Sequence, residues 1–293
     1  MKFHHKILAH FNYFFHVIRK TGVMLDIVSP NQLRVLILHD IPESEELAFE
    51  LQIQWLLKHW KIITPSDFES LITGNKEVVG KNLLITFDDG LLSNRIVAEK
   101  ILNRHGIKAV FFIVSDFADI NTRIHAQQFI ADYIIPEAKQ DNISKNLCNM
   151  QLNDLKALLK QGHTIGCHSR RHAYLSNCKN TDELIFEIVT SADNLSDKLG
   201  IKIEHFAFPF GGIDSWNQDA FTVASKHYKY IYSGIRGDNA RSLSPMAIRR
   251  DGASNLSSQF QYTLYDNNLL GALLNGFADF RYIKARKLID SWH

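Results

Sequence analysis

Short apolar runs alternate with amphipathic stretches along most of this chain. Leu33–Leu38, Asn82–Phe87, Lys108–Val114, Thr164–Cys167, His205–Phe208, Lys229–Ser233 and Ala247–Arg249 each read as a short, largely apolar strand. Residues 45–60 place Leu47, Leu51, Trp55, Leu56 and Trp60 on one side of a helix. A second helix is predicted from Ile96 to His105, stopped by Gly106, and a third around Ala126–Ile135, ended by Pro136, within an insertion over 115–150. Asn153 is expected to cap a helix carrying Leu155, Leu158 and Leu159 as far as Gly162. Thr181 is expected to cap a longer one through Leu199, ended by Gly200. A further helix is expected around Asn217–Lys226. Apolar strands alternating with helices predict a parallel sheet covered on its faces, closed as a barrel or left open and doubly wound.

The two ends of the chain read differently. Phe3, Ile7, Leu8, Phe11, Phe14, Phe15 and Ile18 fall at helical spacing with basic residues between them. This segment is either a helix laid on the domain's own core or a basic helix in peripheral contact with a membrane surface. From Leu269 on, an amphipathic helical part is expected, with Arg281, Lys284, Arg286 and Lys287 as its basic side. The expected organisation is an N-terminal helical segment over 1–32, a domain of alternating strands and helices over 33–255 and a C-terminal helical extension over 256–293.

Composition narrows the class. With 293 residues, 45% hydrophobic and 22% charged, the chain can bury a sizeable core. A formal charge of +2 is too balanced for nucleic acid as the main partner. Cys148, Cys167 and Cys178 show no CxxC spacing, so neither a disulfide framework nor a thiolate zinc site is expected. A reducing, cytoplasmic setting follows. His4, His5, His10, Asn12, His16, Arg19 and Lys20 interrupt the apolar residues of the first segment, so it does not read as a signal peptide. Nothing in the sequence points to an oligomeric state.

Candidate chemistry collects after the strands. His39, Asp88-Asp89, His168, Pro209-Phe210 and Arg250-Asp251 each follow a predicted strand, so they converge on one rim. Two ionised carboxylates held close repel each other unless a cation sits between them. Adjacent side chains on a strand point to opposite faces, and a turn at Gly90 can swing both into one cleft. His168 and His172, four residues apart, can meet one metal with Asp89, which leaves Asp88 free as a base. That set argues for metal-assisted hydrolysis. Taken singly, Asp-Asp-Gly is also a plain solvated turn, and the two histidines are two among 14. Trp216 and Tyr232 lie near rim loops and suit either a sugar ring or the core, and Cys167 suits a buried strand.

Thr86-Phe87-Asp88-Asp89-Gly90 and His168-Ser169-Arg170-Arg171-His172 resemble the first two motifs of the polysaccharide deacetylases, carbohydrate esterase family 4 with its NodB-homology domain. Phe206-Ala207-Phe208-Pro209-Phe210-Gly211 is similar to the third, and the resemblance covers about residues 33–255. It implies a distorted (β/α) barrel of about seven parallel strands and one divalent metal, usually zinc. Carried over, Asp89, His168 and His172 are the ligands, Asp88 is the general base, and the Phe210 backbone N–H stabilises the oxyanion. The substrate implied is an N-acetylated sugar in a polysaccharide, oligosaccharide or lipid-linked precursor.

Two departures from the family pattern stand out. Ala207 occupies the place of an Arg that orients the base; Arg249 or Arg250 could replace it, and Arg250 is the expected one, with a surface pair to Asp251 as its plain alternative. The late motif whose His protonates the leaving amine is missing, which leaves His39, His205 and His227, or Asp88 itself. A glycan-binding relative with weak turnover, or a different metal hydrolase such as a phosphoesterase, are the competing readings.

Overall fold

The computed structural model describes residues 29–136, 146–252, 265–277 and 279–292, with Thr21 and Met24 besides. Its strands are β1 (Gln32–Leu38), β2 (Lys61–Ile62), β3 (Lys81–Phe87), β4 (Val110–Ile113), β5 (Thr164–Cys167), β6 (His205–Ala207), β7 (Tyr230–Tyr232) and β8 (Asp251–Gly252). All pairings are parallel, in the order β7-β6-β5-β4-β3-β1-β8, with β2 also on β3. Ile248, on the approach to β8, bridges Tyr232 of β7, so the curled sheet nearly closes on itself. This is the distorted (β/α) barrel that the alternation of strands and helices left as one of two options.

The two faces of the sheet have different neighbours. Leu33, Val35, Leu84, Val110, Phe112, Ala207, Tyr232 and Ile248 form the inner cluster. Leu36, Leu38, Leu83, Ile85, Phe87, Phe111, Ile113 and Cys167 pack outward against helices. Inner and outer residues alternate along each strand, as period-two geometry requires. Continuing that alternation past the strand ends puts Asp88 on the inner side after Leu84 and Thr86, and His168 there after Gly166.

The principal helices are α1 (Glu46–His59), α2 (Pro65–Ile72), α3 (Leu92–Val97), α4 (Ser115–Ala118), α5 (Arg123–Phe129), α6 (Leu152–Lys160), α7 (Thr181–Leu199), α8 (Gln218–Ser225), α9 (Asn267–Leu274) and α10 (Ile283–Asp290). Pattern reading did not find α2, although Thr64-Pro65-Ser66-Asp67 carries its start signal: Thr64 accepts from the Asp67 N–H and Pro65 fills the first turn. Phe68, Leu71 and Ile72 of α2 pack into the inner cluster.

Several boundaries differ from expectation. α3 begins at Leu92, not Ile96, and widens through a π turn over Ala98–Leu102 before Gly106 ends it at φ 67°. Leu91 has no capping side chain; instead Leu92 N–H donates to the Cys148 carbonyl at 2.8 Å, a partner 56 positions away that no local pattern shows. Gln151 caps α6 in a capping box with Asp154, in place of Asn153, and Asn180 caps α7 in place of Thr181. Ala247–Arg249 makes a single bridge, and the paired strand is Asp251–Gly252. Arg250 therefore lies inside the barrel wall, ahead of β8, not beyond a strand's C-terminal end.

The C-terminal part is less amphipathic than expected. Leu269, Leu270, Ala272, Leu273 and Leu274 of α9 are all buried, and the basic residues fall on the turn and helix after Gly276. Buried Arg34 of β1 binds both Asp251 and Asp279 at 2.7 Å, and Trp292 meets Trp216 edge-on. The expected N-terminal helix lies outside the described residues. Among the described residues, no helix is long and apolar enough to cross a membrane.

Candidate active site

The ends of β3 and β5 place the central groups. Asp88 N–H donates to the Leu38 carbonyl at 2.9 Å, and its side chain enters the barrel. Asp89 would face outward by alternation. Its own backbone at φ 74°, followed by Gly90 at φ 83°, turns it inward instead. Asp89, Ser169, His172 and Phe210 are the non-glycine residues with positive φ among the described residues, and all lie on the loops around this site. Such conformations cost of order 1–3 kcal/mol each and persist where the surroundings enforce them.

His168, His172 and Asp89 come together. Asp89 Oδ1 lies 3.6 Å from His168 Nε2 and 3.4 Å from His172 Nε2. One ligand atom from each residue falls within 4.8 Å of the others, and all three residues are buried. Carbonyls behind the rings orient them. His168 Nδ1 faces the Ala207 carbonyl at 2.8 Å and His172 Nδ1 faces that of Tyr133 at 2.9 Å, which assigns the proton to Nδ1 and leaves Nε2 aimed at Asp89. Among the described residues, neither Asp89 oxygen has a hydrogen-bond partner. A buried carboxylate without partners is costly, and a divalent cation at the centre of this set would supply what is missing. The residues therefore fit a metal.

Electrostatics separates the two carboxyls. Burial, then the neighbouring Asp88 charge, pushes Asp89 well above the usual carboxylate range. Burial alone would raise Asp88 too, but the Arg250 guanidinium outweighs it and holds that carboxyl at about 2. The pair is bidentate, with Arg250 Nη1 donating to Oδ1 at 2.7 Å and Nη2 to Oδ2 at 2.9 Å. Arg250 is fixed in turn by the Ser233 carbonyl at 2.9 Å and lies over the Phe112 ring. Burial brings His168 down to about 4 and His172 to about 3, so both rings are neutral near pH 7.

Other candidates are placed elsewhere. Arg249 binds Asp290 at 2.9 Å, and Asp251 is taken by Arg34 and Arg236, so Arg250 alone of these basic groups reaches Asp88. His205 Nδ1 meets the Tyr232 hydroxyl at 3.0 Å and its Nε2 lies 3.3 Å from Glu69, beneath the site, while His227 lies beside Asp193. His39 is the one of the three that couples electrostatically to Asp88, His168 and His172, although burial lowers its own pKa and disfavours its charged form. Trp216 and Tyr232 are 2% and 0% exposed; both belong to the core and cannot meet a sugar. Cys167 contacts Ser191 Oγ at 3.0 Å, and burial pushes its thiol up to about 11, so it is a packed residue outside the cluster.

Phe210 closes the site on the β6 side. Pro209 and Phe210 form a loop whose tight return needs glycine: a Cβ at Gly211, φ 67°, would lie 2.6 Å from the Gly234 backbone. The Phe210 ring is 4.4 Å from that of His172 and stacks on Tyr174 at 3.9 Å. Sequence reasoning did not single out Tyr174, which carries no motif of its own.

A family model for polysaccharide deacetylases matches residues 75–230, just over half of the chain, and spans both the Asp88-Asp89 and the His168–His172 loops. The chain belongs to the polysaccharide deacetylase family. A Bacillus subtilis (strain 168) protein named "Putative polysaccharide deacetylase YxkH" is 30% identical over 100 residues, which cover 32% of this chain and 36% of that protein. The match thus spans about a third of that curated relative. In fold, this deacetylase-family chain is similar to the Streptococcus pyogenes deacetylase PplD, with a TM-score of 0.62 and 18% identity over 84% of this chain and 99% of the other. It is also similar to IcaB from Ammonifex degensii, with a TM-score of 0.64 and 17% identity over 84% and 97%.

Proposed function

We propose that this chain removes the acetyl group from an N-acetylated sugar of a polysaccharide, oligosaccharide or lipid-linked glycan precursor, using one zinc ion held by Asp89, His168 and His172. The observation that carries the reading is the Asp89 carboxyl, unpartnered among the described residues, facing two imidazole nitrogens oriented from behind. Family membership supports the reaction class. Three free cysteines suit a reducing, cytoplasmic setting.

The bound metal would supply Lewis acidity, polarising the acetamide carbonyl and acidifying water. Asp88, kept ionised by Arg250, accepts a proton from the attacking water. The Phe210 backbone N–H donates to the carbonyl oxygen as negative charge grows there. The C–N bond then breaks, acetate leaves, and the amine nitrogen takes up one proton. His39 is the candidate donor for that proton, with Asp88 as the other. One water is consumed for each amide cleaved.

Acetate release is the direct test. The zinc-loaded protein is expected to release acetate from N-acetylhexosamine oligomers, and Asp89→Asn and His168→Ala are each expected to abolish it. Release that persists in both variants would remove the metal mechanism.

Metal uptake offers an independent check. Asp89 retains its proton above the ordinary carboxylate range, whereas His168 and His172 have already lost theirs well below pH 5.5. Zinc binding at pH 5.5 is therefore expected to expel at most one proton, that of Asp89. Two histidines of ordinary pKa would expel nearly two at this pH. Calorimetric titration in two buffers of different ionisation enthalpy counts the protons, and a count near two or above contradicts the assignment.

A further inference from the structure

We propose that the turn and helix after Gly276 belong to the catalytic apparatus, with Asp279 and Asp290 as positioning residues that hold Arg250 on Asp88 by fixing its two chain neighbours from outside the barrel. This rests on the deacetylase reading and adds what keeps its proposed base oriented. Asp279, Arg286 and Asp290 all lie beyond the family match, which ends at residue 230.

Arg250 needs outside support because the strand beside it is short. Its own N–H donates to the Ile235 carbonyl at 3.1 Å, and the ladder that follows is the two-residue pairing of Asp251 and Gly252 with Leu36 and Ile37. So short a ladder supplies few hydrogen bonds to hold the wall, whereas a two-pronged guanidinium–carboxylate pair tolerates little displacement.

The outward-pointing neighbours supply the hold. Arg249 Nη2 donates to Asp290 Oδ2 at 2.9 Å. Asp251 accepts from Arg34 Nε at 2.8 Å and from Nη2 at 2.7 Å, and Arg34 Nη1 donates to Asp279 at 2.7 Å. Arg236 adds a third link. Its Nη1 lies 3.1 Å from Asp251, and its carbonyl accepts from Arg286 Nη1 at 2.7 Å. Gly237 lets these side chains meet, since a Cβ there would lie 2.7 Å from Arg249 and 3.0 Å from Arg286. Arg34 and Asp251 are both buried. A buried ionic cluster adds little stability over apolar side chains of the same volume; its best-attested use is to fix one arrangement among several. The arrangement fixed here is that of the residues on either side of Arg250.

A double-mutant cycle on the full-length, zinc-loaded protein tests this. Asp279→Ala is expected to lower kcat for acetate release from N-acetylglucosamine oligomers about tenfold, with KM nearly unchanged and one zinc per chain retained. Asp290→Ala is expected to act in the same direction. In an Arg250→Lys background, which has already lost the two-pronged pair, Asp279→Ala is expected to lower kcat by about twofold at most. Asp279→Asn, which keeps the shape and one acceptor, is the second variant should Ala impair folding, and its smaller loss should likewise vanish in that background. A kcat unchanged in Asp279→Ala and Asp279→Asn, or the same fold-loss in both backgrounds, overturns the positioning role. Should wild type release no acetate, the deacetylase reading fails separately. Urea unfolding of wild type, the two single variants and the double variant then decides the clamp: losses of stability that are less than additive support it, and additive losses overturn it.

Discussion

Asp88→Asn is expected to lower kcat for acetate release by roughly 10²–10⁴-fold while one metal per chain is retained. Asp88 lies 3.8 Å from His168 Nε2 and its oxygens are engaged by Arg250, so it is held beside the candidate metal ligands and not among them. Asparagine matches the carboxylate in shape and keeps an acceptor for one Arg250 N–H. It cannot take a proton from water. Rate and metal content measured on the same sample separate the roles. Asp89→Asn should lose metal and rate together, whereas Asp88→Asn should lose rate alone. Loss of metal in Asp88→Asn would make that residue a ligand, and an unchanged rate would end its role as base.

Removing Arg250 is expected to damage both the fold and the base. The guanidinium and the Asp88 carboxylate are buried together, and deleting one partner of such a pair costs about 3–5 kcal/mol because a charge is left buried alone. Urea unfolding of Arg250→Ala at pH 7 measures that loss. The pair also sets the charge of the proposed base. With Arg250 present, Asp88 titrates at about 2, below its unfolded value. Its contribution to stability is therefore complete above about pH 4 and disappears as pH falls toward 2. Without Arg250, burial is left as the dominant influence and raises the Asp88 pKa, so the protonated form persists to higher pH. The acid limb of kcat/KM should accordingly move upward in Arg250→Ala. Arg250→Lys restores a charge without the two-pronged geometry and should fall between the two. An acid limb unchanged in Arg250→Ala would show that this arginine does not set the state of the base.

Which parts of this were legible beforehand follows from how local each determinant is. The strands β1, β3, β4 and β5 stand out because their residues are apolar on both faces, whatever they pair with. Gly106 and Gly200 end their helices in left-handed conformations, as glycine allows. The start of α3 was not legible, since the carbonyl that receives Leu92 N–H comes from Cys148. The last strand was misplaced for a related reason. β8 exists through its pairing with Leu36 and Ile37 of β1, more than two hundred residues earlier. Trp216 and Tyr232 look the same in sequence whether they face a groove or a core, and here both are core.

The order of residues alone determined the alternation of strand and helix, and with it the choice of a parallel sheet. It also held the chemical inventory: two adjacent carboxylates, two histidines four apart, and a third loop with alanine where a base-orienting arginine is usual. Tertiary structure decided which groups meet. Arg250 was chosen over Arg249 because strand alternation turns one side chain into the barrel and the next toward Asp290. Asp89 entered the site because its backbone took a left-handed turn. Period-two alternation can be read along a strand, but the turn that reverses it, and the partner waiting on the other side, are settled by packing between distant segments.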